Sequence, residues 1–361
     1  MTLDKEETST SKVAIITGAN AGVGYGICQR LLELEGDSMT IVMACRSQTR
    51  ASNARQKLLA QFPYATIDII LVDIGDVLSV LEFCHQIREK YNHVNYLFCN
   101  AGILSALGIK WSRLFFYFLK DPVGLMERSD ATIQAMGELN PDGMGRVFAC
   151  NVFGHYVMMR ELEQLLSNSG DGRVIWTSSI TAEKASFDIE DWQGLKSLVP
   201  YEASKWACDL VAIATNDRFI QEGLNVVSFT TSPGVVASNI GSLPTWIIKA
   251  RTLIHYLFRL CGVTSQNITG YNGAIADVFV ALQPLAAVNY WFRYCSLSNR
   301  WGKAYVEAQA LEEYDPEIAE KLLQKCELAY QAWKKNPKKK MEEAQEHEAH
   351  QADSENLPLL S

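Results

Sequence analysis

Residues 13–24 read VAIITGANAGVG, and this stretch decides the fold class of the chain. Its four leading apolar residues predict a buried parallel strand, and the apolar spacing of residues 27–34 predicts the helix that follows. Between them lie Gly18, Gly22 and Gly24, where a backbone without side chains can turn tightly and approach a pyrophosphate at the helix N-terminus. An ordinary glycine-rich turn is the alternative interpretation, so the rest of the chain has to distinguish the two.

The chain continues as alternating strands and helices with short connections. Apolar runs predict strands at 40–44, 67–72, 94–98, 173–179 and 224–229. Helical patterns occupy 50–61, 77–91, 151–166 and the residues from 201 onward. This order predicts an α/β fold, a Rossmann-type doubly wound parallel sheet in a single domain. The expected boundaries are a flexible N-terminus at 1–12, the domain at 13–310 with apolar insertions at 103–140 and 240–265, a C-terminal helix at 311–335, and a polar disordered tail at 336–361.

Polar residues follow the ends of the predicted strands, which is where sheets of this kind bind ligands. Gly18, Arg46, Asp73 and Asn100 all occupy such positions. In an NAD-binding unit an acidic residue about 20 positions after the glycines binds the ribose 2′-hydroxyl, but here Arg46 follows the second strand without a carboxylate. A guanidinium suits a 2′-phosphate, so the sequence predicts NADP(H) rather than NAD(H), with a solvated surface arginine as the alternative.

A tyrosine and a lysine four residues apart, Tyr201 and Lys205, form the candidate catalytic pair. On a helix they share one face, and the ammonium is expected to lower the pKa of the phenol. Such a pair can act as a general acid in a carbonyl reduction or as a base in the reverse oxidation. Tyr330 and Lys334 show the same spacing, but no cofactor strand precedes them, and the pattern after Pro316 predicts a peripheral amphipathic helix there.

Composition and charge exclude several classes of protein. The 361 residues carry a formal charge of -8, which argues against a nucleic-acid-binding surface. Nine cysteines show no Cys-x-x-Cys pair and no histidine at ligand spacing, so we expect buried thiols in a reducing compartment and no metal site. The polar start of the chain is not a signal peptide, so the glycosylation sequon at Asn267 is discounted. No run reaches the roughly 18 to 20 apolar residues that cross a bilayer, although surface attachment remains open.

Two apolar stretches interrupt the α/β pattern. Residues 111–119 form an aromatic cluster flanked by lysines, which fits a cap over an apolar substrate, a membrane-interface segment or a satellite hydrophobic core. Residues 246–263 mix apolar and aromatic residues with cations, which suits an interfacial helix or a core helix with snorkelling cations. The tail from 336 reads as a solvated charge run, with a weak membrane or partner contact as the alternative.

The motifs together resemble those of the short-chain dehydrogenase/reductase superfamily over roughly residues 13–240. The motifs in question are Thr17-Gly18-x-x-x-Gly22-x-Gly24, Asp73, Asn100-Ala101-Gly102, Asn151, Ser179, Tyr201-x-x-x-Lys205 and Pro233-Gly234-x-Val236-x-Ser238. A narrower likeness, to the 3-keto-sterol reductase branch of fungi and animals, extends to about residue 335. It is carried by residues 151–155, 160–163, 175–179 and 271–273, by the apolar insertion after Gly102 and by the helix at 317–333.

The resemblance implies a role for each matching residue. Tyr201 would donate a proton to a ketone oxygen, while Lys205 would hold the nicotinamide ribose and lower the pKa of the tyrosine. Ser179 would hydrogen-bond the carbonyl, and Asn151 would position Lys205 and a relay water. Arg46 would bind the 2′-phosphate of NADPH and Asp73 would lie near the adenine. The whole cofactor set would be Thr17, Gly18, Gly22, Val23, Gly24, Arg46, Asp73, Asn100, Ala101, Gly102, Tyr201, Lys205, Pro233, Gly234, Val236 and Ser238.

The implied function is NADPH-dependent reduction of the 3-keto group of a sterol to a 3β-hydroxyl during sterol C-4 demethylation. The expected partners are a sterol substrate, a membrane contacted peripherally and a sterol C-4 demethylation enzyme complex, with no nucleic acid. The expected location is the cytosolic face of the endoplasmic reticulum membrane or lipid droplets. The alternatives are another carbonyl reductase, acting on retinaldehyde, a 17-ketosteroid or a small ketone, and a non-catalytic scaffold on the same fold.

Overall fold

Eight strands pair into one central sheet in the computed structural model, which describes residues 11–128, 131–237 and 245–335. Along these residues the strands are β1 (Lys12–Thr17), β2 (Met39–Cys45), β3 (Thr66–Leu71), β4 (Tyr96–Cys99), β5 (Ala106–Ile109), β6 (Thr132–Gln134), β7 (Gly172–Thr177), β8 (Val226–Ser232), β9 (Val235–Val236), β10 (Gln266–Ile268), β11 (Phe292–Ser298) and β12 (Ala304–Ala310). The central sheet has the order β12-β11-β8-β7-β4-β1-β2-β3, and neighbouring strands are parallel except β11 and β12.

Between and after the strands the chain forms helices, several of which cover the two faces of this sheet. They are α1 (Gly22–Glu35), α2 (Gln48–Gln61), α3 (Val77–Lys90), α4 (Trp111–Lys120), α5 (Pro122–Glu127), α6 (Arg146–Phe148), α7 (Gly154–Asn168), α8 (Pro200–Gln221), α9 (Thr245–Leu260), α10 (Gly270–Gly273), α11 (Ile275–Leu282) and α12 (Pro316–Lys335). Neighbouring residues of β1 point to opposite faces of the sheet. Ile15 belongs to the core formed with α3, α7, α8 and α12, whereas Ile16 belongs to the core formed with α1, α2 and α11. Side chains alternate along a strand, so a strand buried on both faces has to be apolar throughout.

A crevice opens where the strand order reverses. From β1 the chain proceeds to β2 and β3 on one side, and from β4 it proceeds to β7 on the other side. Ligands of doubly wound sheets bind beyond the C-terminal ends of the strands at such a point. Gly18 follows β1 directly and Asn100 follows β4 directly, so both line this crevice.

The predicted fold class is confirmed, and α12 is the expected C-terminal helix. Two features differ from the sequence expectation. β11 and β12 extend the sheet beyond β8, which no motif indicated. The helix predicted to begin at Asn151 begins instead at Arg146, and a wide π-turn (Ala149–Phe153) joins α6 to α7. That predicted start is wrong because the buried side chains of Val147 and Phe148 stabilise an earlier helical turn, which begins at Arg146 directly after Gly145.

Candidate active site

Tyr201 and Lys205 lie in the first two turns of α8, which begins at Pro200. Proline suits this position because its fixed φ angle matches the helix and its missing N–H would have no partner there. Lys205 is buried, and its Nζ lies 5.7 Å from the centroid of the Tyr201 ring. The same Nζ donates a hydrogen bond of 2.8 Å to the carbonyl oxygen of Thr177, the last residue of β7. The ammonium is therefore held beside the phenol by the end of a core strand.

Ser179 reaches the same phenol from the loop that follows β7. The Ser179 hydroxyl lies close enough to the Tyr201 phenol to lower its pKa. The Ser179 Oγ also lies 2.9 Å from the Thr181 hydroxyl oxygen and accepts a 3.1 Å bond from the Thr181 N–H. The seryl oxygen is thereby held in place by Thr181.

The pKa of Tyr201 is raised above its ordinary value of 10. Burial is the largest cause, and it outweighs the charge of Lys205 and the hydrogen bond from Ser179, which both lower the pKa. The ammonium lowers this pKa as predicted, but the net shift is upward, because burial has the larger effect and a sequence motif does not show how far the phenol is removed from water. The phenol is protonated at neutral pH, which is the state that a proton donor requires.

Asn151 lies in the π-turn, fully buried, and all its side-chain bonds are internal. Its Oδ1 accepts from the Ile103 N–H at 2.8 Å, and its Nδ2 donates to the Ile103 carbonyl at 3.1 Å and to the Ser204 hydroxyl at 2.8 Å. A Cβ atom added at Gly102 would lie 3.0 Å from Asn151 Oδ1 and 3.6 Å from Lys205 Nζ. Asn151 and Lys205 therefore meet beside Gly102, and Ser179 and Tyr201 complete the group.

The glycine turn between β1 and α1 is shaped to admit a diphosphate. Gly18 and Gly22 have φ angles of 68° and 55°, which residues other than glycine rarely adopt. A Cβ atom at Gly24 would lie 2.5 Å from the Gly18 carbonyl oxygen. No side chain caps the first turn of α1, so its N–H groups and the positive end of the helix dipole are open to an anion.

Thr17 joins this turn to the end of β4. Its hydroxyl oxygen accepts hydrogen bonds of 2.9 Å from the N–H groups of Asn100 and Ala101, and the Asn100 side chain donates to the Thr17 carbonyl at 2.7 Å. Val23 lies half-buried in the first turn of α1 beside them. These contacts hold the two strand ends together across the crevice.

Arg46 and Asp73 follow β2 and β3 and form an ion pair with an N–O distance of 3.4 Å. The Arg46 side chain is 69% exposed, so its guanidinium is accessible to a phosphate. Asp73 is anchored, since its Oδ1 accepts a 3.0 Å bond from the Gly75 N–H. The structure thus places both predicted residues at one edge of the crevice, in contact with each other.

The Pro233–Ser238 motif is only partly described. Gly234 has a φ angle of 63°, and the Pro233 carbonyl accepts a 2.7 Å bond from the Asn267 side chain. Val236 belongs to β9, which pairs with β10. Ser238 lies outside the residues that the structure describes, as do the predicted N-terminal segment up to residue 10 and the tail from residue 336.

Sequence reasoning missed one residue at the start of the catalytic helix. Gln134, in β6, accepts a 3.0 Å bond from the Tyr201 N–H and donates a 2.6 Å bond to Glu202. It lies 67 residues before Tyr201 in an insertion without any motif, so no local signal could have identified it. Asn267 of the discounted sequon is buried and bonded to the Pro233 and Ser296 carbonyls, which fits its use as a structural amide.

Among the described residues, no group of three or more histidine, cysteine or carboxylate side chains could hold a metal ion. Eight of the nine cysteines are buried, with Cys261 exposed.

Comparison with known proteins agrees with this geometry. The chain matches the short chain dehydrogenase family model over residues 12–243. It is 34% identical over 314 residues to the rat protein named 3-keto-steroid reductase/17-beta-hydroxysteroid dehydrogenase 7, covering 86% of this chain and 92% of the relative. It is also 29% identical over 338 residues to a 3-keto-steroid reductase of Schizosaccharomyces pombe, covering 91% of this chain and 98% of the relative.

Solved structures share the fold at low sequence identity. An NADPH-bound short chain oxidoreductase from Pseudomonas aeruginosa matches with a TM-score of 0.54 and 17% identity, covering 77% of this chain and 92% of that one. L-sorbose reductase from Gluconobacter frateurii matches with a TM-score of 0.51 and 18% identity, covering 77% of this chain and 91% of that one. With the family model matched over most of its length and relatives spanning nearly all of it, the chain belongs to the short-chain dehydrogenase family.

Proposed function

We propose that this protein is an NADPH-dependent reductase that converts the 3-keto group of a sterol intermediate to a 3β-hydroxyl during sterol C-4 demethylation. The observation that carries the chemistry is the meeting of Ser179, Tyr201, Lys205 and Asn151 beside Gly102, at the mouth of the crevice. The substrate class rests on relatives that match nearly the whole chain and are named 3-keto-steroid reductases.

The reaction assigns one task to each side chain. NADPH, when bound, supplies the hydride for the carbonyl carbon. Tyr201, protonated at neutral pH, donates its proton to the carbonyl oxygen, and Ser179 stabilises the charge that develops on that oxygen. Lys205 lies close enough to stabilise the phenolate that the transfer leaves, and its bond to Thr177 keeps it there. Asn151 holds the backbone at Ile103 and the α8 residue Ser204 in register around them.

The residues present fit a dinucleotide with a 2′-phosphate. Gly18, Gly22 and the uncapped start of α1 would hold the diphosphate, because the backbone is exposed there and its N–H groups lack side-chain caps. Arg46 would turn from Asp73 to the 2′-phosphate, while Asp73 would remain near the adenine. The other predicted positions would form the walls of the same groove, namely Thr17, Val23, Gly24, Asn100, Ala101, Gly102, Pro233, Gly234, Val236 and Ser238.

We also propose that the protein lies peripherally on a membrane through two apolar helix faces. No residue of α4 is buried, so the satellite-core interpretation of 111–119 is wrong for this helix, and Trp111, Phe115 and Leu119 are each at least 66% exposed. The neighbouring Lys110, Arg113 and Lys120 suit anionic headgroups. Such an arrangement supports attachment to the cytosolic face of the endoplasmic reticulum or to lipid droplets.

The second face belongs to α9, where Leu253, Tyr256, Leu257 and Leu260 are exposed at helical spacing while His255 is buried. The Ser265 hydroxyl donates a 2.5 Å bond to Glu127, which ties the segment after α9 to the segment after α4. Within the described parts of the chain, no helix is long and apolar enough to cross a bilayer. Contact with other enzymes of sterol C-4 demethylation would follow from sharing this membrane and remains part of the proposal.

A ketone panel tests the proposed reaction. Purified protein with NADPH should turn over a 4-methyl-3-keto sterol faster than a 17-ketosteroid, retinaldehyde or a small aliphatic ketone. Turnover of retinaldehyde without turnover of the sterol would replace the substrate assignment. Absence of NADPH oxidation with every ketone would favour the non-catalytic scaffold.

A further inference from the structure

His155 is a polar residue in the middle of an apolar helix. It is fully buried on α7, and the next four residues of the chain, 156–159, are buried as well. An imidazole buried in such a place without hydrogen-bond partners would destabilise the fold, so its partners matter. Both ring nitrogens have one, and each belongs to a different half of the candidate active site.

The first partner is the carbonyl oxygen of Asn151, which lies 3.3 Å from His155 Nδ1. A carbonyl oxygen can only accept, so Nδ1 carries the ring proton. Burial lowers the pKa of His155 to about 3, with the charge of Lys205 as the next cause, so the ring is neutral under ordinary conditions. Nε2 is therefore the unprotonated nitrogen and can only accept.

The second partner is the Thr17 hydroxyl, whose oxygen lies 3.0 Å from His155 Nε2. The N–H groups of Asn100 and Ala101 occupy the lone pairs of that oxygen, each at 2.9 Å. The hydroxyl proton remains for an acceptor, and the Phe98 carbonyl at 3.0 Å is the other acceptor within reach. His155 thus helps to orient the hydroxyl that binds the turn after β4.

We propose that His155 is a positioning residue that links the π-turn carrying Asn151 to the cofactor-binding turn held by Thr17. The inference rests on the proposed function, in which Thr17 belongs to the NADPH groove and Asn151 to the catalytic group. The link consists of two contacts: the His155 Nδ1–H donates to the Asn151 carbonyl, which gives the link its direction, and Nε2 lies 3.0 Å from the Thr17 hydroxyl oxygen, whose proton the Phe98 carbonyl can also accept. It sets the distance between the bound dinucleotide and the proton donor.

Two conservative substitutions test separately the two contacts, or arms, of the link, one to Thr17 and the other to Asn151. His155→Asn keeps a donor near the position of Nδ1 and loses the arm to Thr17, so NADPH should bind about tenfold more weakly with kcat within threefold of wild type. His155→Gln keeps an acceptor near the position of Nε2 and loses the arm to Asn151, so kcat should fall about tenfold with NADPH affinity nearly unchanged. Thr215→Val removes another fully buried polar group, bonded only within α8, and should alter neither constant.

A double-mutant cycle tests the coupling directly, with NADPH binding followed by fluorescence below the melting temperature of each variant. His155→Asn should weaken binding about tenfold, and Thr17→Val should weaken it more, because the N–H groups of Asn100 and Ala101 then also lose their acceptor. The double variant should bind no more weakly than Thr17→Val alone, because both substitutions remove the same contact between Thr17 and His155. Additive losses, or wild-type constants in all the His155 variants, would overturn the proposal. Failure of the proposed function would differ, since wild-type protein would then show no NADPH binding or no turnover.

Nitrogen NMR of the histidine rings gives a readout that needs neither cofactor nor substrate. His155 should be neutral with its proton on Nδ1 between pH 5 and pH 8. A proton on Nε2 would contradict the direction of the link and overturn the proposal.

Discussion

Removing a single hydroxyl should distinguish Tyr201, the proposed proton donor, from Tyr330, which has the same spacing to a lysine on α12. Tyr201 and Tyr330 each precede a lysine by four residues, and the two lysine Nζ atoms lie 5.7 and 5.4 Å from the centroids of the respective tyrosine rings. The environments of the hydroxyls differ. Tyr201 has Ser179 as a neighbour that lowers its pKa, whereas Tyr330 donates a 2.6 Å bond to the carboxylate of Glu161.

The expected changes are therefore opposite in kind. Tyr201→Phe removes the proton donor, so kcat/KM should fall by about 10²–10⁴-fold, which corresponds to about 3–5 kcal/mol in the barrier. Its effect on the free energy of unfolding should stay below about 1 kcal/mol, because Ser179 keeps its bonds to Thr181. Tyr330→Phe removes a hydrogen bond to a charged acceptor, so it should lower the free energy of unfolding by about 1.5–3 kcal/mol. Activity of that variant should remain within threefold of wild type.

Steady-state kinetics with NADPH and the ketone found by the panel, together with urea unfolding, measure both quantities. Activity of Tyr201→Phe within threefold of wild type would refute the assignment of the proton donor. A comparable loss of activity in Tyr330→Phe, measured where that variant is fully folded, would contradict the assignment of Tyr330 to a purely structural role.

Three further results are expected. Burial alone would raise the pKa of Glu327, but hydrogen bonds, first among them the one from the Arg160 guanidinium, lower it from 4.5 to about 2. The ionised carboxylate therefore stabilises the fold above pH 4.5, and this stabilisation is lost as the pH falls towards 2. Glu327→Gln should thus reduce the free energy of unfolding by about 2 kcal/mol at pH 7 after allowance for solvent screening. The difference in free energy of unfolding between wild type and variant should become smaller between pH 5 and pH 3, and a difference that stays constant in urea unfolding would contradict this. Arg46→Ala should raise the KM for NADPH about tenfold or more and scarcely change that for NADH, whereas equal effects on both would count against a 2′-phosphate site. The double variant Phe115→Glu with Leu119→Glu should reduce binding to anionic vesicles at least tenfold in a flotation assay, whereas the control Leu328→Glu, at an exposed position on α12, should not reduce it. Retained binding of the double variant would show that the exposed face of α4 does not bind the membrane.

The sequence alone determined the class of fold and which candidate site residues follow the strands. The spacing of apolar residues and of the glycines after residue 13 is a local property of the sequence, and it indicates that Gly18, Arg46, Asp73 and Asn100 follow strands. Parallel strands end at one edge of the sheet, so these residues lie along the same edge. The spacing of Tyr201 and Lys205 is likewise local to one helix.

Only the tertiary structure decided what surrounds each of these residues. Burial raises the pKa of Tyr201 against the effect of its own lysine, and burial depends on which segments pack over the phenol. Gln134 meets α8 across 67 residues and His155 meets Thr17 across 138, contacts that depend on where distant segments cross rather than on any local pattern. The sequence identified the chemical groups, and folding set their distances, because the free energy of long-range packing is a property of the whole chain.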